Sequence, residues 1–333
     1  MEKGGEMEKY FYISEKEKIM EVQALDEAVD LLRQGGFAWL NMVNPSNDML
    51  AKLISTFGIN PVAIEDCKDD GQIPKIEDYQ SNTFFIFNLF TYHNKKFTIS
   101  EINIFVGKNY LILITHNAND NSKLVEDLML ESTNITVGVD FLLHKIIDLI
   151  VDQKFHVIEA LEDELNIFED IILKSPSRFR QEHMMKLKRN LLLARKSIVH
   201  EREILVKICR KDSPFVSEKS IYHFRDVYDH LTRFHESIEI LREMISALME
   251  IYLSSMNNHI ALLANKTNSV MRRLSMITTI FMPLTLLASI GGMSEWSMMT
   301  GAQNWKIAYP IFILMMFIIG LLSYWLIRKY ELK

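Results

Sequence analysis

The sequence predicts an N-terminal α/β domain, a long helical stalk and a two-helix membrane hairpin. Three observations carry this. Residues 274–294 run for 21 positions without a charge, and a second uncharged run of 21, Ile307–Ile327, follows after a 12-residue gap. At about 1.5 Å rise per residue, either run crosses a hydrocarbon core of roughly 30 Å. Next, no glycine lies between Gly138 and Gly291, where only Pro176, Pro214 and Pro283 interrupt the chain. So long a stretch without helix breakers predicts very long helices. Finally, aromatic and β-branched runs separated by turn residues occupy the chain up to about residue 117.

Element by element, Lys9–Ser14 and Phe37–Met42 read as strands, and Asp26–Arg33 and Asn47–Phe57 as helices. Phe84–Tyr92, Thr98–Val106 and Tyr110–His116 are strand-like runs with turn residues between them. Lys174-Ser175-Pro176-Ser177 reads as the turn of a helical hairpin. Its first arm is acidic (Asp152, Glu159, Glu162, Asp163, Glu164, Glu169, Asp170) and its second basic (Arg178, Arg180, Lys186, Lys188, Arg189, Arg195, Lys196). Opposite signs favour pairing of the arms, at about 0–1 kcal/mol per exposed pair; two solvated helix faces explain the same pattern. Ser213-Pro214 breaks the next helix, and from about Ser217 the pattern stays helical into the first span. Unbroken to Met293, that helix is roughly 115 Å long. It would link a binding event outside the membrane to a pore. The expected division is a cytoplasmic α/β domain (1–125), a cytoplasmic helical domain (126–213), a stalk helix (214–272), a first span (273–294), an extracellular loop (295–306), a second span (307–327) and a basic tail (328–333).

Arg272 and Arg273 precede the first span, Arg328, Lys329 and Lys333 follow the second, and the loop carries only Glu295 and Lys306. Lys and Arg collect on the cytoplasmic side, which places both termini in the cytoplasm of a multi-pass protein of the cell (inner) membrane. The N-terminal residues have no apolar h-region, so no signal peptide is expected. Two cysteines, Cys67 and Cys209, are too few for a disulfide framework and fit a reducing cytosol. A net charge of −6 argues against nucleic acid as a partner.

Along and just before the first span, Asn268, Ser275, Met282 and Ser289 are spaced by sevens, with Thr278 and Thr285 interleaved and Gly292 continuing the pattern. This is a heptad seam too polar for a lipid face. Small and hydroxylated residues also glue membrane helices together, so a packing face is the alternative. A pore lining accounts for more, because amide and hydroxyl oxygens contact a hydrated cation without stripping it. One span cannot enclose a pore, so this reading requires a homo-oligomer with the seam facing its axis. Neither span carries a charge, which disfavours a proton relay and favours passive flow. Such a lining suits Mg²⁺, which gives up its waters reluctantly.

Four segments resemble the CorA-type magnesium channel family: NPVAIEDCKDDGQIPKIEDY (60–79), FRDVYDHLTRFHESIEILREMISALMEIYLSS (224–255), NKTNSVMRRLSMITTIFMPLTLLASIGGMS (265–294) and NWKIAYP (304–310). The resemblance implies a funnel-shaped homopentamer that conducts Mg²⁺, often also Co²⁺ and Ni²⁺, and closes when cytoplasmic Mg²⁺ occupies sites between protomers. Mg²⁺ is then both cargo and regulator. By position, Asn268, Leu274, Met282 and Thr285 match pore-lining residues, a set that Ser289 of the seam joins. Asp66 and Asp226 match the acids of the intersubunit regulatory site, and Glu250 matches a further acidic regulatory position, usually Asp. Carboxylates are the expected hard ligands for Mg²⁺; without the resemblance each would read as an ordinary surface or cap residue.

Three departures from the family pattern stand out. The signature Gly-Met-Asn of the selectivity filter is Gly292-Met293-Ser294 here, which trades an amide for a shorter hydroxyl and puts selectivity in question. Glu295, next along at the outer mouth, would raise the local cation concentration. Gly291 stands where the family commonly has Tyr, and Ser289 where Gly is common. The segment between Tyr252-Leu253-Ser254-Ser255 and Asn268 is about seven residues longer than in close relatives, which is two helical turns and preserves the heptad face.

The leading expectation is a Mg²⁺-preferring divalent cation channel. The alternatives are a divergent branch moving Zn²⁺ or another ion, and a non-conducting membrane sensor. An enzyme is not expected: the chain has no Gly-rich phosphate loop, no Cys-x-x-Cys pair and no His-Glu-x-x-His. His223, His230 and His235 lack the i,i+4 spacing of a metal pair and read as helix-face residues, and His116 as a surface residue.

Overall fold

The computed structural model describes residues 7–14, 18–69, 71–130, 138–293, 301 and 303–331. Two compact units result, Met1–Ile251 and Tyr252–Lys333.

The first unit is built on a seven-stranded sheet: β1 (Met7–Ile13), β2 (Ile19–Val22), β3 (Phe37–Val43), β4 (Lys75–Asp78), β5 (Asn82–His93), β6 (Lys96–Gly107) and β7 (Tyr110–Thr115), in the order β2-β1-β3-β7-β6-β5-β4. β3 and β7 pair in parallel and every other neighbour pair is antiparallel. One face, with Tyr10, Leu40, Met42, Ile86, Phe105 and Ile112, shares its core with α1 (Leu25–Leu32), α2 (Asn47–Phe57) and α3 (Pro61–Asp66). α5 (Val139–Lys174) packs across β5, β6 and β7. With both faces covered, nine consecutive residues of β5, Asn82–Phe90, are buried. The aromatic run therefore serves two cores rather than alternating with polar residues.

Capping chemistry fixes the short helices. Ser46 Oγ accepts from Met49 N and Gly58 closes α2 at φ 65°, a left-handed conformation that glycine takes without steric cost. Asn60 Oδ1 accepts from Val62 N, and Pro61 begins α3, where its missing N–H costs nothing. α4 (Ala118–Leu130) follows β7. Beyond the sheet, α5 ends at Lys174, a 3₁₀ turn at Pro176–Arg178 reverses the chain, and α6 (Gln181–Cys209) returns. The ion pair that ties these two arms together, Lys154–Glu201, is buried and has the opposite sense to the expected one, with the base on α5 and the acid on α6. Apolar residues such as Leu161, Leu165, Leu187 and Leu191 are buried, whereas Glu159, Glu162, Lys186 and Arg189 are exposed; the charge bias marks solvated faces.

α7 (Ile221–Gly291) runs for 71 residues with Pro283 inside it and contributes to both units. In the second unit it is joined by α8 (Trp305–Glu331). Each contains a stretch long and apolar enough to cross a membrane, none of it buried. They pack through facing stripes: Met276, Ile280, Leu284, Leu287 and Gly291 on α7 are half-buried, as are Phe312, Met316, Ile319, Ser323 and Ile327 on α8. Leu284 Cδ1 lies 3.6 Å from where a Cβ would stand on Gly320. At Gly291 such a Cβ would fall 2.6 Å from Phe312 Cζ, so only glycine admits the ring.

Candidate functional site

The seam residues Asn268, Leu274, Ser275, Thr278, Met282, Thr285 and Ser289 are all exposed, on the opposite side of α7 from the stripe that meets α8. Met282 is 72% exposed and Leu274 56%. A hairpin alone thus leaves uncovered the face that the heptad spacing singled out. Its hydroxyls are not idle: Thr278 Oγ1 donates to Leu274 O at 2.9 Å, Thr285 Oγ1 to Phe281 O at 2.8 Å and Ser289 Oγ to Thr285 O at 2.8 Å. Each proton is spent on the helix backbone, which leaves the oxygen lone pairs as acceptors for the protons of an ion's hydration shell. Gly292 and Met293 close the helix, with Gly292 N donating to Ala288 O. Ser294 and Glu295 lie outside the described residues.

Asp66, at the C-terminal end of α3, meets the Lys75 ammonium of β4 at 2.7 Å. Lys75 also reaches Glu77 at 2.8 Å, and Tyr79 Oη donates to Glu77 at 2.6 Å. Partial burial pulls the ammonium down, but the hydrogen bonds to Asp66 and Glu77 outweigh it and hold Lys75 above its ordinary value. Burial and the Glu77 contact push Tyr79 up to about 12. Any cation that comes to Asp66 therefore competes with a resident one. Lys75 was not a site candidate in the sequence; the only signal was a lysine two residues before an acid in a four-residue strand.

Asp226 stands on the first turns of α7 and is largely exposed, with His230 Nε2 3.9 Å away. The other ring nitrogen, Nδ1, lies 4.0 Å from Asp152 Oδ1 on α5. Asp148, Asp152 and His230 bring one ligand atom each within 4.8 Å of the others. His144 and His223 form a ring contact nearby on the same two helices, centroids 5.1 Å apart. Burial holds the His144 imidazole below its ordinary value, with His223 adding to the shift and Asp148 opposing it. His230 is thus a junction of three carboxylates, not a bare helix-face residue; its α5 partners are remote in sequence, so local spacing gave no hint. Glu250 is exposed 24 positions beyond Asp226 on the same helix, about 36 Å along its axis. The two acids cannot share an ion within one chain.

His116 is half-buried, contrary to its reading as a surface residue. Its Nδ1 lies 3.0 Å from Asn44 Oδ1, and Asn44 Nδ2 donates to His116 O at 2.9 Å. The turn after β7 is thereby tied to the turn after β3. Both cysteines are free thiols, Cys67 buried and Cys209 half-buried.

Comparison with known proteins adds the family. The model of the CorA-like Mg²⁺ transporter protein family matches residues 34–329. The cobalt/magnesium transport protein CorA of Thermotoga maritima is 31% identical over 293 residues, covering 85% of this chain and 80% of that protein. Its namesake in Methanocaldococcus jannaschii is 28% identical over 292 residues, covering 86% and 88%. The zinc transport protein ZntB of Photorhabdus laumondii is 23% identical over 189 residues, covering 56% of this chain and 54% of that protein. Among solved structures, the complete CorA magnesium transporter of M. jannaschii superposes with a TM-score of 0.67 at 22% identity, covering 97% of this chain and 98% of that one. With the family model spanning nearly the whole chain and the sheet, long helix and hairpin matching in fold, the chain belongs to the CorA-like Mg²⁺ transporter family.

Proposed function

We propose that this divalent metal ion transporter is a passive channel for Mg²⁺, and secondarily Co²⁺ and Ni²⁺, formed by five copies around the α7 seam and closed by cytoplasmic Mg²⁺. The observation that carries the reading is the uncharged, hydroxyl-bearing face of α7, exposed opposite the stripe that packs on α8. A pore axis is the one environment that supplies water to such a face at membrane depth. Mg²⁺ passes with its waters, which donate to Thr278, Thr285 and Ser289 oxygens and to the Asn268 amide. Leu274 and Met282 sit eight residues apart, just over two turns, and narrow the path with apolar rings that gate by dewetting. No carboxylate in the spans is available to carry protons, so flow follows the electrochemical gradient.

Regulation is assigned to Asp66 and Asp226 across a protomer boundary, with Glu250 further along α7. Oxygen ligands from two protomers suit Mg²⁺, and its loss frees like charges to repel. The protein resides in the cell membrane with both termini in the cytoplasm, as the Arg272/Arg273 and Arg328/Lys329 clusters direct. The divisions at residues 125, 213, 272, 294, 306 and 327 are adopted as functional boundaries on the same grounds.

Ser294 in place of the family Asn, together with similarity to a zinc transport protein, favours a second reading, transport of Zn²⁺. Flux into proteoliposomes, with Mg²⁺, Co²⁺, Ni²⁺ and Zn²⁺ presented in turn, decides between them. Mg²⁺ uptake blocked by hexaamminecobalt supports the first reading; Zn²⁺ flux insensitive to it supports the second. Absence of flux for all four ions overturns both and leaves a non-conducting sensor. In a conducting protein, Ser294→Asn should sharpen preference for Mg²⁺, and an unchanged order of permeant ions would move the filter elsewhere.

A further inference from the structure

We propose that the cleft on the sheet face between the loop 71–74 and α6 binds a guanine nucleotide, with the base against Glu101 and Asn88 and the phosphate at Lys196. The cleft measures about 860 Å³, within the roughly 300–1,000 Å³ of small-molecule sites. Asn88 and Glu101 follow Ile86 and Phe105 at even spacing along β5 and β6, so they share the face that α1, α2 and α3 cover further along. Here the cover is the loop 71–74 and the flank of α6 that carries Leu193, Lys196 and Ser197. His116, Asn117 and Ala118 complete the wall, directly after the C-terminal end of β7, which pairs in parallel with β3. Open α/β sheets take ligands at this end of their parallel strands.

Two buried side chains on the sheet offer acceptors. Glu101 Oε2 takes the Gln72 N–H at 2.8 Å, and Oε1 takes Asn103 Nδ2 at 3.0 Å. Burial pushes this carboxyl up; the bonds from Asn103 and Gln72, the nearby His116 and a bond from Gly71 N oppose the shift. A carboxylate has about four lone-pair positions, so three donors leave room for one more. Asn88 gives its Nδ2 hydrogen to Ser197 Oγ at 2.9 Å, which leaves Oδ1 to accept. A ligand at these oxygens must bring N–H groups. Guanine carries N1–H and N2–H₂ side by side, whereas adenine and cytosine set one amine beside acceptor nitrogens that would face the oxygens. Phe97 and Ile99 of β6, Ile73 and Leu193 supply apolar walls for a flat ring. Ile73 and Leu193 stand 43% and 44% exposed, apolar surface that a base would cover. Lys196, exposed at the cleft, makes no ion pair among the described residues. α4 begins at Ala118 on the same cleft, and a helix N-terminus favours an anion. An amino acid also pairs N–H donors with an anion, but it would leave most of the volume empty.

The loop that Glu101 holds leads from α3, with Asp66, to Lys75 of β4. A bound nucleotide would thus bear on the Asp66–Lys75 pair. That consequence rests on the regulatory role proposed for Asp66; the binding itself does not, and is measured without flux. The test is equilibrium dialysis of the purified full-length protein in detergent micelles, free of divalent ions, against GMP, IMP, AMP, guanosine and inorganic phosphate in turn. The expected result is one GMP per protomer, with IMP and AMP each bound at least about tenfold more weakly, the loss of one hydrogen bond to a charged acceptor. Lys196→Gln should weaken GMP about tenfold and leave guanosine unchanged. Leu193→Trp should fill the cleft and weaken both. Both positions are exposed on α6, so the variants keep the fold, which an unchanged melting temperature verifies. No saturable GMP binding, any of IMP, AMP or inorganic phosphate bound as tightly as GMP, or GMP affinity unchanged in both variants overturns the site. A protein that binds GMP in this way yet passes no ion in proteoliposomes overturns the transport reading alone.

Discussion

Lys75 holds its ammonium 2.7 Å from the Asp66 carboxylate, and Glu77 holds the same ammonium at 2.8 Å. The acid assigned to Mg²⁺ sensing is thus charge-neutralised by its own chain before any ion arrives. Lys75→Gln removes the competitor. Closure by cytoplasmic Mg²⁺ should then occur at several-fold lower concentration, since a part-exposed pair is worth up to about 1 kcal/mol. Flux inhibition curves in proteoliposomes measure this; an unshifted midpoint removes Asp66 from the sensor.

Lys154 and Glu201 are fully buried 3.1 Å apart, with Lys154 also over the Phe90 ring at 5.0 Å. Burial pushes the Glu201 carboxyl up and the Lys154 ammonium down, and their mutual attraction opposes both shifts. Lys154→Met strands a buried acid and should cost about 3–5 kcal/mol in chemical denaturation of the first unit's signal. Adding Glu201→Gln should recover most of that loss, because the amide oxygen still accepts from Asn88 N. A double variant no more stable than the single one contradicts this account.

Met282 projects from the seam at 72% exposure. Met282→Asp should wet the apolar ring and raise basal leak several-fold at saturating cytoplasmic Mg²⁺. A cysteine at 282 that no aqueous thiol reagent reaches in any state would mean that the pore face is drawn wrongly.

Gly291 exchanges a side chain for the Phe312 ring, 2.6 Å from the would-be Cβ. Gly291→Ala should therefore lower the melting temperature in detergent, at about 1–3 kcal/mol for overpacking. Adding Phe312→Ala relieves the clash and should bring a smaller loss than the two single changes summed. Strict additivity of the two would show that they do not touch.

Long periodic segments were legible. The helix expected at Asn47–Phe57 has those bounds, the strand at Phe37–Met42 extends one residue to Val43, and the turn at Pro176 splits α5 from α6 as expected. β2 and β4 were missed because four residues apiece, IMEV and KIED, carry no alternation of their own; they exist because β1 and β5 offer them partners. α3 was missed despite its Asn60-Pro61 start, since six residues show no period. At the candidate site, the seam followed from spacing along one helix. Lys75 beside Asp66, and Asp152 beside His230, are contacts between elements, and nothing local in either segment encodes them.

The buried pair between α5 and α6 also answers a problem of the sheet. β4 pairs β5 only as far as Ile86, so beyond that point β5 has no strand on this side among the described residues. Glu201 Oε1 takes the Asn88 N–H at 3.0 Å, and Ser197 Oγ accepts from Asn88 Nδ2 at 2.9 Å. A helix side chain thus stands in for the missing strand, and the unpaired edge is closed to strand addition by another chain. While the hairpin is still undocked on a newly made chain, that edge lies open. The folding order of α6 against β5 therefore sets how long the sheet of the first unit is exposed to misassembly with another copy of the chain.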